Sequence, residues 1–384
     1  MPSRRAVLKL SATAAALAAA RPVLAAPMLN FGRVRLFPGA PQYSTRAVDL
    51  LKRSLVIDML SPLHISGRKF NAWLQRPDAV TAADFQRYKD SAINVFHIAV
   101  GVGAAQSLPY ISAWNAFIAN HDEHLLRVTR ASDFDRAKKS GRIGILLGLQ
   151  NSDHFQNPND VSNFFALGQR VSQLTYNARN LIGNGSTDRR DEGISDFGIR
   201  IIERMNQVGM AVDVSHCGDK TTLDAFELSK KPVLITHSNC RALVAGHPRC
   251  KTDEAIRAMA KSGGVMGITN VRMFVRAEEP TTIEHMMDHY DHVRNLVGVE
   301  YLGVGSDVDL DGYDDLPPEE LNALKAAYKG SYGFRDKIDI EGVDHPKRMF
   351  DLVEALIRRK YTDAHIEAIL GGNFRRVLAQ IWPA

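Results

Sequence analysis

The sequence predicts an α/β fold, a closed (β/α)8 TIM barrel. Three observations carry that expectation. Eight short apolar runs of β type alternate with helix-length segments along the chain. Seven of the runs lead into a polar residue, namely Asp58, Gln150, Tyr176, His216, His237, Asn270 and Asp307. A barrel gathers the C-terminal ends of its strands around one mouth, so a single architecture accounts for all of these tips.

The runs fall at 54–58, 92–100, 143–149, 171–175, 210–214, 232–236, 264–269 and 301–305. Before them, residues 27–45 read as a lead-in bearing Pro and Gly, and 47–53 as a short amphipathic helix. Residues 189–209 are expected to be helical, with Ile194, Phe197, Ile201 and Met205 at helical spacing and Gly209 as the stop. Thr252 reads as the N-cap of the next helix, and Asp253 and Glu254 give it the acidic first turn that its dipole favours. Residues 285–297 form a helix before the eighth run, and 346–382 are mostly helical with a break near 371–373. Residues 27–384 thus read as one barrel domain with C-terminal helices. The insert at 310–340, rich in Asp and Tyr, is placed to cover the barrel mouth.

The centre of the chain is 210–241, MAVDVSHCGDKTTLDAFELSKKPVLITHSNCR. Two apolar runs flank a helix-length segment, and each run ends in a histidine, His216 and His237. Strand, helix, strand with an imidazole at each strand tip is how a barrel presents metal ligands, and neutral imidazole suits zinc. His64 can fold back over the mouth as a further donor. His97 and His154 read as structural, and Cys217 as a packing residue. Cys240 and Cys250 are close enough in sequence to pair in an oxidising compartment, although three cysteines make no disulfide framework.

Composition excludes other classes. The body of the chain has no apolar stretch long enough to span a membrane. Arg4, Arg5, Lys9 and Arg21 lie in the first 26 residues, which contain no acid, so without them the formal charge falls from +5 to +1. No basic patch with interleaved aromatics points to nucleic acid. Those first residues, with SRRAVLK at 3–9, a mild apolar stretch and VLAA at 23–26, read as a twin-arginine signal peptide over 1–26 and hence a periplasmic protein.

Several segments carry a more specific likeness. They are DFG at 196–198 with GMAVDVSH at 209–216, THSNCR at 236–241 followed by HPR at 247–249, GGV at 263–265, GSDVD at 305–309 and GGNFRRV at 371–377. Together they resemble the membrane (renal) dipeptidase family of zinc metallopeptidases, which use an amidohydrolase-like barrel. The resemblance is good from about residue 170 onward and weaker over 50–170. It implies that His216 and His237 bind zinc, that Asp307 moves the proton of the attacking water, and that Arg241 holds a substrate carboxylate. Tyr176 aligns with a histidine that stabilises the transition state, and its hydroxyl can still donate to an oxyanion. Asn270 is taken as a substrate-binding residue. The resemblance also implies a dipeptide-like substrate and a homodimer.

The chain departs from the family at the metal centre. In VIDMLSP at 56–62, Leu60 and Pro62 occupy ligand positions. In GLQNS at 148–152, Gln150 stands where a bridging glutamate is expected, so it is at best a weak ligand. One zinc ion at most is therefore expected. The expected function is an exported dipeptidase-like hydrolase of a dipeptide or small amide of an amino acid. The alternatives are a metal-free barrel enzyme using Asp307, His216 and Tyr176, and a periplasmic protein that binds a small carboxylate.

Overall fold

The architecture was obtained as a computed structural model, which describes residues 33–35, 42–61 and 69–383. The signal segment, Pro62 and His64 lie outside the described residues. The chain divides into two units, 1–49 and 50–384. In the first, β1 (Arg33–Arg35) and β2 (Gln42–Ser44) pair antiparallel, so the segment read as a plain lead-in contains a pair of strands.

The second unit is built on β3 (Ile57–Asp58), β4 (Val95–Ile98), β5 (Leu125–Val128), β6 (Ile143–Leu149), β7 (Val171–Gln173), β8 (Ala211–Asp213), β9 (Ile235–Ser238), β10 (Met266–Ile268) and β11 (Leu302–Val304). All pairings among them are parallel, in the order β8-β7-β6-β4-β3-β11-β10-β9. A parallel bridge between Asp213 and Leu234 brings the two ends of that order together. The result is an amidohydrolase-type (β/α)8 barrel, and each of its eight strands coincides with one of the expected runs.

The ninth strand, β5, was not expected. It pairs with Ile143–Leu146 of β6, while β7 pairs with Gly148 and Leu149. Seven residues make β6 long enough to serve both neighbours along one edge. The LLRV run of β5 is only four residues long and carries the charged Arg127, so it does not read as an uninterrupted apolar run.

The helices end where local chemistry says they should. Ser195 accepts from the Gly198 amide at the start of Asp196–Val208, and Gly209, at φ 83°, closes it in the left-handed region open to glycine. Thr252 accepts from the Ala255 amide and starts Asp253–Lys261. The C-terminal segment forms Arg348–Arg358, Asp363–Glu367 and Asn373–Ile381, with a π-helical turn over Ala368–Gly372. Phe374, Val377, Leu378 and Ile381 of the last helix pack with Val95, Leu126, Phe134 and Val171, burying the apolar backs of the strands.

Candidate active site

The site starts from a buried carboxylate. Asp213, at the end of β8, accepts four hydrogen bonds: from the Ser215 amide at 3.0 Å, the Ser215 hydroxyl at 2.6 Å, the Thr236 amide at 3.0 Å and the Thr236 hydroxyl at 2.7 Å. These bonds staple the tips of β8 and β9 and set the direction of the histidine that follows each. His216 and His237 meet with their Nε2 atoms 2.9 Å apart.

The outer nitrogens of the pair are also held. His216 Nδ1 lies 2.7 Å from Asn177 Oδ1, and His237 Nδ1 lies 2.8 Å from Thr236 Oγ1. Because the Thr236 hydroxyl donates to Asp213, its oxygen can accept from a protonated Nδ1 of His237. An Nδ1–H on His216 donates to Asn177 in the same way. With both rings protonated at Nδ1, two Nε2 lone pairs face each other and call for a shared cation. With one tautomer reversed, a proton lies between them instead. Both imidazoles are held well below their ordinary basicity, first by burial and then by the Arg249 charge.

Arg249 is fully buried beneath this pair. Its guanidinium donates to the Ser215 carbonyl and, at 2.9 Å, to the His237 carbonyl. Arg241 is placed differently. Its fork closes on Asp219 at 2.5 and 2.8 Å and also donates to the carbonyls of Cys250 and Pro248. The guanidinium that touches the histidine loops is thus that of Arg249, in the HPR segment, to which sequence reasoning gave no role. Lys251, also buried, donates to the Cys217 carbonyl and to Thr222, and burial pushes its pKa down to about 8. Cys217, Cys240 and Cys250 are all free buried thiols, so the structure does not contain the Cys240–Cys250 pairing considered from sequence.

A roof of tyrosines closes over the histidines. Tyr176 stacks on His216 with ring centroids 4.3 Å apart. A Cβ at Gly101 would come within 2.7 Å of the Tyr176 ring, so only glycine leaves room for it there. The insert supplies the rest, through the helix Pro318–Tyr332. Leu321, Leu324, Tyr328 and Tyr332 lie at helical spacing and pack with Val244, Val271 and Phe274. The Tyr328 hydroxyl lies 2.8 Å from that of Tyr176, and the Tyr332 hydroxyl donates to Asn177 Oδ1 at 2.7 Å. The expectation that the insert covers the mouth therefore holds.

On the far side of the mouth, Asp307 follows β11 with φ 59°, a left-handed conformation uncommon outside glycine. Its amide donates to the Leu60 carbonyl at 2.8 Å. Burial pushes its carboxyl up to about 7, with Arg249 opposing and Asp58 reinforcing the shift. Asp58 is itself consumed by structure. It accepts from the Ser306 amide and hydroxyl and pairs with Arg348 at 3.2 Å, both side chains being wholly buried. Asn270 donates its amide to the Ser306 carbonyl at 2.8 Å, next to Asp307. Gln150 donates to the Ala99 carbonyl, while its buried Oε1 has no hydrogen-bond partner.

This donor set does not fit two zinc ions. Among the described residues no three His, Cys, Asp or Glu side chains converge on one point. Leu60 is a buried hydrocarbon, Gln150 is neutral, and Asp58 is paired. The facing imidazoles, each with an acceptor for its Nδ1–H, do fit the protein side of a site for one ion.

A barrel of this type with an imidazole pair at its mouth defines the class as amidohydrolase-like. The model of the membrane dipeptidase family, peptidase family M19, matches residues 44–328. The chain belongs to that family. It is 30% identical to Dipeptidase verJ of Clonostachys rogersoniana over 278 residues, covering 72% of this chain and 65% of that relative, so it spans just under two thirds of the relative's length. Among solved structures, an amidohydrolase from Pseudomonas aeruginosa superposes with a TM-score of 0.76 at 27% identity, over 88% of this chain and 99% of that one. The probable dipeptidase PvdM from Pseudomonas aeruginosa shares the fold, with a TM-score of 0.70 at 18% identity over 88% of this chain and 97% of its own.

Proposed function

We propose that the protein is an exported hydrolase of a dipeptide or a small amide of an amino acid, with at most one zinc ion, held by His216 and His237. The observation that carries this reading is the pair of Nε2 atoms 2.9 Å apart, with Asn177 and Thr236 placed to keep both lone pairs turned inward. Membership in the dipeptidase family supports the reaction class. A bound ion would supply Lewis-acid polarisation of a carbonyl. Asp307, with its carboxyl raised to about 7, holds and passes a proton near neutral pH and suits transfer to a leaving amine. Burial and the neighbouring tyrosines raise the Tyr176 phenol, so it remains a hydrogen-bond donor suited to a developing oxyanion. Export rests on the twin-arginine motif at 3–9 and the cleavage-type sequence at 23–26.

A second reading, a metal-free enzyme, is favoured by Leu60 and Gln150 at the positions where further ligands are expected. In it a proton lies between the two imidazoles, and Asp307 and Tyr176 are the acid–base groups.

Metal content per chain separates the two. The mature protein is purified without chelator or nickel and its metals counted by mass spectrometry, alongside a dipeptide hydrolysis screen. One zinc per chain, lost together with dipeptide turnover in a His216→Ala/His237→Ala double variant, is the expected result. No zinc after soaking, with turnover intact, would replace the proposal by the metal-free enzyme. Two zinc ions per chain would overturn the single-ion site.

A further inference from the structure

Away from the barrel mouth, a cavity of about 370 Å³ lies along β5, between the helices Ala104–Asn120 and Ala131–Ser140. Its lining includes four arginines, Arg127, Arg130, Arg136 and Arg142, and two aspartates, Asp122 and Asp133. Asp133 is already committed. It accepts from the Thr129 amide at 2.9 Å and the Arg130 amide at 3.1 Å, and it pairs with Arg136 at 3.0 Å.

Among the described residues, the Arg127 and Arg142 guanidiniums donate to neutral groups. Arg127 donates to Asn115 Oδ1 at 2.8 Å, and Arg142 to the Asp122 backbone carbonyl at 3.0 Å. Among the described residues, Arg127, Arg130 and Arg142 make no ion pair with a carboxylate. Arg170 stands behind the wall, donating to the Thr129 carbonyl at 2.8 Å. Burial, and then the Arg127 charge, push its pKa down to about 10. Other crowded arginines of this protein do meet carboxylates. Arg359 is met by Glu284, Asp288 and Asp291, and Arg272 and Arg335 share Glu279.

We propose that this cavity binds a multivalent oxyanion of the phosphate or pyrophosphate type. Like charges crowded around a concave wall raise the local concentration of an anion, and guanidinium forks match the geometry of phosphate oxygens. The unmatched arginines need more than one negative charge, and the volume accommodates a small phosphate ester. The phosphate can belong to a soluble ester or to a lipid headgroup that reaches the flank of the barrel.

The test is calorimetric titration of the full chain with inorganic pyrophosphate at low ionic strength, with sedimentation against phosphatidylglycerol and phosphatidylcholine vesicles in parallel. One saturable site per chain is expected, weakened at least tenfold in an Arg130→Gln/Arg142→Gln variant. Arg127→Gln provides a second, independent loss. Arg375→Gln, which removes an arginine paired with Asp135 outside the cavity walls, leaves binding unchanged. Pelleting with phosphatidylglycerol alone assigns a headgroup, and pyrophosphate binding without pelleting assigns a soluble ester. No saturable binding of either probe, or equal affinity in the double variant and the native chain, would overturn the proposal.

Discussion

The Tyr332 hydroxyl lies 3.2 Å from His216 Nδ1, although 116 residues separate them in sequence. Tyr332 closes the lid helix, and His216 is one of the two imidazoles at the centre of the mouth. The same hydroxyl donates to Asn177 Oδ1, so the lid is latched to the group that orients the histidine.

Tyr332→Phe removes that latch and keeps the ring. A buried hydrogen bond of this kind contributes about 1 kcal/mol. Hydrogen exchange over residues 318–332 is expected to quicken severalfold, with the barrel strands unaffected. Unchanged exchange in the helix would show that apolar packing alone holds the lid.

Asp307 sets a pH dependence. Its carboxyl titrates at about 7, so any step that needs the carboxylate speeds up as pH rises through 7. Asp307→Asn should flatten that limb of the rate profile. The stability effect has the opposite direction. In the unfolded chain an aspartate titrates near about 4, so the folded state holds the proton more tightly between about 4 and 7. The stabilising contribution is complete below about 4 and is lost as pH rises through 7. Chemical denaturation at pH 5 and pH 8 should show this loss in the native protein and a smaller one in Asp307→Asn.

Arg348, at the start of the helix Arg348–Arg358, and Asp58, at the tip of β3, form a wholly buried pair. Removing one partner strands the other charge, at a cost of about 3–5 kcal/mol. Arg348→Met should show that loss in urea denaturation, and Asp58→Asn/Arg348→Met should recover part of it. A double variant as unstable as the sum of the two single variants would mean that the pair is not coupled.

Arg249 is the second cause, after burial, of the low basicity of both histidines. In Arg249→Met the two imidazoles should titrate at higher pH while staying below the ordinary histidine value, as followed by NMR of the ring protons. Titrations identical to those of the native protein would remove Arg249 from the field acting on the pair.

Much of this was legible in the chain itself. His216, His237 and Asp307 could be found because each follows an apolar run of the sequence within a residue or two, and run and tip are neighbours by covalent connection. The insert was legible as a lid through its length and tyrosines, although which tyrosines reach the histidines was not. Arg241 shows where local reading stops. The family resemblance implied a substrate fork there, and in the structure its guanidinium pairs with Asp219, 22 residues away.

The sequence by itself determined the eight-strand barrel and the two histidines at its strand tips, because strand periodicity and side-chain chemistry are local properties. Only the tertiary structure decided that Asn177 and Thr236 orient the imidazoles, that Arg249 lies beneath them, that Arg348 consumes Asp58, and that β5 lines a cavity of unmatched arginines. Those relationships join residues distant in the chain. Their energies come from burial and from the charges that burial brings together, and neither exists until the barrel has closed.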